Sequence, residues 1–361
     1  MSKPLTPFIK KLLPTPPELS LDDFGKALDF IFLDEANDVE ISSFLTALRI
    51  HKLDFDSRYI AKAVEIILKY SEKIDYNLVD SNGYIDIVGT GGDSQNTFNV
   101  STSAAIISAG MGLKICKHGG KASTSTSGSG DLMNKLGVDL MKINANSAPL
   151  IIKNSNLCFL FAPAFHHGMS KVINVRKHLG IPTIFNILGP LLNPINIKAR
   201  ILGVYTESLG KIYCEAAVKI DKSRNLIANT MVVWGEIGLD EISPIGKTKI
   251  WFYNKDIDKI SEFELSPSDF GLPEHSIDLV RSGTPSENAN TLKNILNLDY
   301  DSLKPGINPL VDYILMNSSA LAVVSGLTND WKEGVELARK SISSGSAKKA
   351  LSDFIDAINN H

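Results

Sequence analysis

Three short stretches carry residue types suited to phosphate and hard-cation chemistry. The first is GTGGD at 89–93, between the strand-like run Ile85, Ile87 and Val88 and an apolar helical stretch, Ala104–Ala109. Glycines at a strand-to-helix junction let the backbone approach a ligand and aim N–H groups at an anion. Gly89, Thr90, Gly91, Gly92 and Asp93 form this loop, Thr97 and Thr102 add hydroxyls, and Asn99 and Ser101 are candidate helix caps. The second stretch is Lys117, His118, Gly119 and Gly120, which follows the run Leu113–Cys116 and leads into hydroxyls from Ser123 to Ser129. Lys117 offers a compact positive charge to a phosphate, or is a strand-end lysine reaching water. His118 is a ligand-facing donor or a structural imidazole. The third stretch is Asp240–Glu241 in GLDEISP, just after the run Met231–Trp234. Oxygen-only ligands suit Mg²⁺, which keeps waters and shares substrate phosphates; the plain alternative is a solvated acidic turn.

Singly these signals are weak. GTGGD lacks the GK[ST] of a Walker loop and the GxGxxG spacing of a dinucleotide fold. Two phosphate-suited loops, each at the C-terminal end of a strand, are a stronger pattern, because open α/β sheets bind ligands there.

The elements that position these loops follow from periodicity. Ser20 with Asp23 reads as a capping-box variant, ahead of the stripe Leu21, Phe24, Leu28 and Ile31. Asp38 is the expected cap of a second helix carrying Ile41, Phe44, Leu45 and Leu48, and Asp56 of a third carrying Ile60, Val64, Ile67 and Leu68. Three such stripes leave apolar surface for a partner. The preceding segment, with Lys10–Lys11 and several prolines, reads as a loose arm. Beyond Gly83 the texture changes. Cys158–Ala162, Ile201–Tyr205, Met231–Trp234 and Thr248–Phe252 read as strands with helical segments between several of them, and Asn317–Ser325 and Trp331–Ser344 as helices. The expected class is α/β, a mostly parallel sheet flanked by helices, with a smaller all-helical N-terminal domain. The expected division is 1–82 and 83–361.

A net charge of −3 gives no electrostatic case for nucleic-acid or membrane binding. Cys116, Cys158 and Cys214 are widely spaced and read as buried free thiols. With no apolar run of signal or membrane-span length, a cytoplasmic location is expected.

GTGGD (89–93), NVST (99–102), KHG (117–119), SGSGD (127–131) and LGV (136–138) together resemble the anthranilate phosphoribosyltransferase family, and the resemblance runs from about Leu19 to about Ile358. It implies transfer of the phosphoribosyl group of phosphoribosyl pyrophosphate to the amine of anthranilate, in tryptophan biosynthesis. The resemblance implies an active site in the cleft between the two domains, with 166–193 returning to the helical one. Phosphoribosyl pyrophosphate falls to the GTGGD loop, Thr97, Asn99, Ser101, Thr102, Lys117 and Ser129. Mg²⁺ falls to Asp240, Glu241 and Ser101. Anthranilate falls to Gly89, His118, Gly119, Gly120, His166, Gly189 and Pro190, with Arg176 of NVRK (174–177) pairing its carboxylate. FLTALR (44–49) implies a homodimer through the helical domain.

Some positions depart from the family pattern. Gly120 and Lys121 stand where Asn-Arg is common, His167 stands for a proline, and Gly130 for an alanine. Two other readings are a pyrimidine nucleoside phosphorylase, which shares the KH-type loop, and a nucleic-acid-binding protein of the same fold. The Asp240–Glu241 pair opposes both.

Overall fold

The computed structural model describes residues 3–122 and 125–360. Four helices open the chain: α1 (Thr6–Lys10), α2 (Leu21–Phe32), α3 (Asp38–Ile50) and α4 (Ser57–Lys69). The expected capping box is present at Ser20 and Asp23. The cap of α3 is Asn37 instead of Asp38, its side chain accepting from the Val39 and Glu40 amides. The expected loose arm is docked: Leu5 and Leu12 are fully buried, and the Glu40 carboxylate accepts from the Leu5 and Thr6 amides at 3.1 Å. A carboxylate from a neighbouring helix thus satisfies the orphan donors where α1 begins.

The second part alternates. It runs β1 (Tyr84–Gly89), α5 (Val100–Gly110), β2 (Ile115–Gly119), α6 (Ser129–Lys135), α7 (Ala148–Asn154), β3 (Leu157–Phe161), α8 (Ala162–Phe165) and α9 (Ser170–Leu179). Then come β4 (Ile197–Gly203), α10 (Glu207–Ser223), β5 (Asn229–Gly235), β6 (Thr248–Asn254) and β7 (Lys259–Leu265), and finally α11 (Pro285–Ile295), α12 (Pro309–Val324), α13 (Trp331–Ser343) and α14 (Ser346–Asn359). The strands form one sheet in the order β3-β2-β1-β4-β5-β6-β7. The first five are parallel and the last two antiparallel. Sequence reading missed β7, because its residues alternate with charges and most are exposed.

Side chains alternate across a strand, and the two faces feed two cores. Ile201, Met231 and Val233 pack with α5, α12 and α14 residues such as Ile106, Ile314 and Phe354. Leu202 and Val232 face the other way, into a core continuous with Tyr213 of α10, Phe24 of α2, Ile60 of α4 and Val172 of α9. The helical bundle therefore shares a core with one face of the sheet. Among the described residues no helix is long and apolar enough to cross a membrane.

One buried ion pair locks α10 to the sheet. Arg200 of β4 donates to Asp221 at 2.7 Å and to the Thr230 hydroxyl at 3.0 Å, both ionic side chains being only 6% exposed. Removing one partner strands a buried charge. Asp221→Ala is expected to cost about 3–5 kcal/mol in urea unfolding, and Arg200→Met with Asp221→Leu to recover most of it. A single-variant loss below about 1 kcal/mol would contradict this account.

Candidate active site

β1 and β4 are neighbours where the strand order reverses, β2 and β3 extending one way and β5 the other. Open α/β sheets bind ligands in the crevice at the carboxyl ends of strands at such a point. GTGGD leaves β1 there, and the Thr90 amide continues the ladder by donating to Gly203 at 2.9 Å. The acidic turn lands on the same two strand ends, the Asp240 carboxylate accepting from the Gly91 amide at 2.7 Å. Glycine is required beneath it. A Cβ on Gly89 would overlap the Asp240 carboxylate, and one on Gly203 would overlap the Asp240 carbonyl. From the far side α12 supports the turn: Tyr313 donates to Glu241 at 3.4 Å, and the Asn317 side chain accepts from the Ile242 amide at 3.4 Å.

Asp240 is buried and Glu241 half-buried, so the solvated-turn alternative does not hold. Burial, and then the neighbouring Asp93, push the Asp240 carboxyl up to about 7. Burial and then Asp240 push Glu241 well above the usual carboxylate range. Such crowding favours a proton or a cation. The donor set is all oxygen, with the Ser101 hydroxyl close to Lys117, the cation that faces both acids. That chemistry fits Mg²⁺ sharing its remaining positions with substrate phosphates. Among the described residues no group of three or more His, Cys, Asp or Glu forms a cage without substrate.

β2 extends through Gly119, so Lys117 and His118 are strand residues and not members of the following loop. Lys117 is buried, not reaching water; its ammonium donates to the Ile87 carbonyl and lies 3.5 Å from the Ser101 hydroxyl. Burial pulls its pKa down, while the charges of Asp86, Glu241 and Asp240 oppose the shift. Asp86 was missed by sequence reasoning. It is buried in β1 and accepts from the Ile87 amide at 2.8 Å, the His118 amide at 3.3 Å and Asn193 Nδ2 at 2.8 Å. The available signal was a lone carboxylate inside an apolar strand run, a costly placement unless it is fully bonded.

His118 and His166 come together. His118 Nδ1 lies 3.1 Å from the Gly189 carbonyl, the two Nε2 atoms are 3.0 Å apart, and His166 Nδ1 is 2.7 Å from the Ser71 hydroxyl. Burial holds the His118 pKa well below the usual imidazole range and lowers that of His166 to about 4, with His167 adding repulsion and the Leu192 carbonyl opposing. Gly189 and Pro190 form a 3₁₀ turn (Gly189–Leu191) against this pair. Arg176 on α9 is half-buried, and its Nε has no hydrogen-bond partner; burial lowers its pKa. No ion pair with Arg176 occurs among the described residues, which leaves a planar fork suited to an incoming carboxylate.

The remaining expected positions are scattered around this centre. Asn99 precedes α5, but its side chain does not cap: it donates to the Ser127 carbonyl at 2.7 Å and accepts from Asn288 at 2.9 Å. Ser101 lies inside the first turn of α5, and Thr102 is fully buried with no partner for its hydroxyl. Thr97 pairs in a β-bridge with Arg281. The Gly91 amide donates to the Asp240 carboxylate at 2.7 Å. The Ser129 hydroxyl donates to the Gly120 carbonyl at 3.2 Å, and Asp131 gathers the Ala122 and Gly128 amides, folding the hydroxyl-rich loop back on Gly120. Ser123 and Thr124 of that loop lie outside the described residues.

A glycine-rich loop and a buried acidic turn meet at the switch point of a mostly parallel sheet that carries an N-terminal helical bundle, and the family models place this arrangement among the glycosyl transferases. Residues 81–348 match the glycosyl transferase family, a/b domain, and residues 6–71 match its helical bundle domain. The chain is 46% identical to the anthranilate phosphoribosyltransferase of Saccharomyces cerevisiae, with 98% of each chain covered. The structure of the Saccharomyces cerevisiae enzyme in complex with PRPP and Mg matches with a TM-score of 0.91 at 45% identity, covering 99% of this chain and 98% of that one. The same enzyme in complex with 4-fluoroanthranilate matches with a TM-score of 0.89 at 44% identity and the same coverage. The chain belongs to the anthranilate phosphoribosyltransferase family.

The depressed His166 pKa makes a pH prediction. The unfolded chain binds a proton below about pH 6.5 that the folded chain refuses until about pH 4, so stability falls as pH drops through that window. His166 alone is expected to contribute up to about 3 kcal/mol to this fall. His166→Gln should therefore show a shallower loss of unfolding free energy between pH 7 and 4.5 than the wild type. Parallel curves would rule out a buried neutral His166.

Proposed function

We propose that the chain transfers the 5-phosphoribosyl group of phosphoribosyl pyrophosphate to the amine of anthranilate, releasing pyrophosphate. This is the second step of tryptophan biosynthesis from chorismate. The observation that carries this reading is the Asp240 turn seated on the GTGGD loop beside Lys117. Asp240, Glu241 and Ser101 would hold Mg²⁺, which when bound offsets charge on the leaving pyrophosphate.

The chain's own residues divide the remaining work. Lys117 presents positive charge to the departing group; burial lowers its pKa, and the charges of Asp86, Glu241 and Asp240 oppose that loss of its proton. Gly89, Thr90, Gly91, Gly92, Asp93, Thr97, Asn99, Thr102 and Ser129 border the donor. The acceptor side is bordered by His118, Gly119, Gly120, His166, Gly189 and Pro190, with Arg176 reading the anthranilate carboxylate. Departure of a group from the anomeric carbon passes through an oxocarbenium-like state. An aryl amine attacks in its neutral form, so positioning supplies more than base strength. Neutral His118 and His166 fit that division, because neither repels the developing positive sugar.

The unit 1–82, joined by 166–193, is inferred to form one wall of the site; the shared core of Val172 and Ile184 with Phe24 and Phe44 supports grouping these segments. Exposed Val39 and Ile50 at the two ends of α3 support a homodimer through the same unit. Three buried free thiols suit a reducing compartment such as the cytoplasm.

The testing experiment follows anthranilate fluorescence with phosphoribosyl pyrophosphate, with and without Mg²⁺. Mg²⁺-dependent loss of signal is expected; a chain that binds phosphoribosyl pyrophosphate yet leaves anthranilate unconsumed would end the proposal. Arg176→Ala should raise KM for anthranilate by about 10- to 150-fold, the worth of a charged hydrogen-bonded pair, and an unchanged KM would remove Arg176 from the acceptor site. Gly203→Ala should lower turnover by about 100-fold, since a displacement near 1 Å at the reacting groups can cost that much. Full activity in that variant would mean the acidic turn does not need its seat.

A further inference from the structure

The histidine pair continues beyond the acceptor side into the helical bundle, and its hydrogens can be assigned by counting. The Gly189 carbonyl only accepts, so His118 Nδ1 carries a hydrogen and donates to it at 3.1 Å. A neutral His118 then has a bare Nε2, and His166 Nε2, 3.0 Å away, must be the donor. A neutral His166 in turn has a bare Nδ1, which needs a donor of its own. Ser71 is 2.7 Å away. Its hydroxyl has one hydrogen and two claimants, the second being the Ile67 carbonyl, also at 2.7 Å. That carbonyl already accepts from the Tyr70 amide at 3.1 Å, so it loses little if the hydroxyl turns away.

Among the groups within hydrogen-bond distance one direction satisfies each: Ser71 to His166, His166 to His118, His118 to Gly189, and the Leu192 carbonyl beside His166 adds a second acceptor for that ring's hydrogen. The opposite choice at Ser71 leaves neutral rings with two bare nitrogens face to face, or a bare nitrogen against a carbonyl. The rings stand edge to face, 5.0 Å between centroids and 82° between planes, which keeps the two Nε2 atoms within hydrogen-bond distance. Burial, which lowers both imidazole pKa values, agrees with neutral rings.

We propose that Ser71 is a positioning residue for the acceptor side of the site: by donating to His166 Nδ1 it sets the tautomers and ring orientations of His166 and His118. Ser71 is the last residue matched to the helical bundle domain, whereas both histidines fall in the stretch matched to the a/b domain, His166 at the point where that stretch returns to the bundle. Next to it the Glu72 amide donates to the Phe165 carbonyl at 2.8 Å, so backbone and side chain cross the same junction together. The placement of the helical bundle is thereby transmitted to His118 and the Gly189 turn. The consequence for anthranilate rests on the function proposed above; the tautomer assignment does not.

The test uses the full-length chain labelled with ¹⁵N-histidine, together with Ser71→Ala and Ser71→Thr. Long-range ¹H–¹⁵N spectra of the wild type at pH 8 should show His118 as the Nδ1–H tautomer and His166 as the Nε2–H tautomer. The reverse tautomer at either ring, or an imidazolium, would overturn the proposal without any variant being folded. Ser71→Ala should shift the His166 Nδ1 resonance and raise KM for anthranilate about tenfold, the cost of a buried acceptor left without its donor. KM for phosphoribosyl pyrophosphate should stay unchanged, and Ser71→Thr should restore both readouts. Equal rises in both KM values, or no rescue by threonine, would make Ser71 a merely structural residue. Absence of anthranilate turnover in the wild type would end the proposed function while leaving the spectra to judge the relay.

Discussion

The close seating of Asp240 on the glycine ends of β1 and β4 is the contact on which the rest of the site depends. It brings a turn from the far end of β5 onto the phosphate loop after β1, so that residues 149 positions apart share one crevice. The contact is possible only because Gly89 and Gly203 present no Cβ to the turn. It concentrates carboxylates where water is scarce, which raises the pKa values of Asp240, Glu241 and Asp93 and makes the crevice a place for a cation. α12 holds the turn from behind through Tyr313 and Asn317, themselves fully buried, so the turn cannot relax outward.

Facing that negative charge is the buried ammonium of Lys117, and the two signs are kept in balance by position. Asp86 lies behind Lys117 in β1, bonded to the His118 amide and to Asn193, so it serves β2 and the segment after α9 at once. A bare carboxylate this deep would be costly, and its three donors are what make it tolerable. The same residue thus fixes the backbone of the KH strand and sets a carboxylate beside the lysine, whose charge opposes loss of the lysine proton while burial raises the carboxyl's own pKa. The helical bundle reaches this strand by another route, through the neutral His166–His118 pair.

Much of this was legible in residue types and spacing. The capping box at Ser20, the amphipathic stripes of α2 to α4, and the strand-glycine-helix pattern at 85–109 depend on neighbours in sequence, and they came out close to the structure. Misplaced features had partners far along the chain. Asn99 looks like a helix cap, yet Asn288 and Ser127 claim its side chain. The first residues look like a loose arm because the carboxylate that anchors them, Glu40, sits on another helix. Lys117 and His118 read as loop residues because glycines follow, but pairing with Phe159 and Leu160 of β3 keeps them in the strand. Ser71, Asp86 and Tyr313 carried no motif at all.

By itself the sequence determined the class of fold, the two phosphate-suited loops, the acidic pair and the family resemblance, because each is written in local periodicity or in contiguous residues. Only the tertiary structure decided that the acidic pair is buried and not solvated, that Lys117 is enclosed, and that two histidines 48 positions apart form one hydrogen-bonded pair. The reason is physical. Burial, pKa and tautomer are properties of surroundings, and those surroundings are assembled from segments whose meeting is set by sheet order and packing.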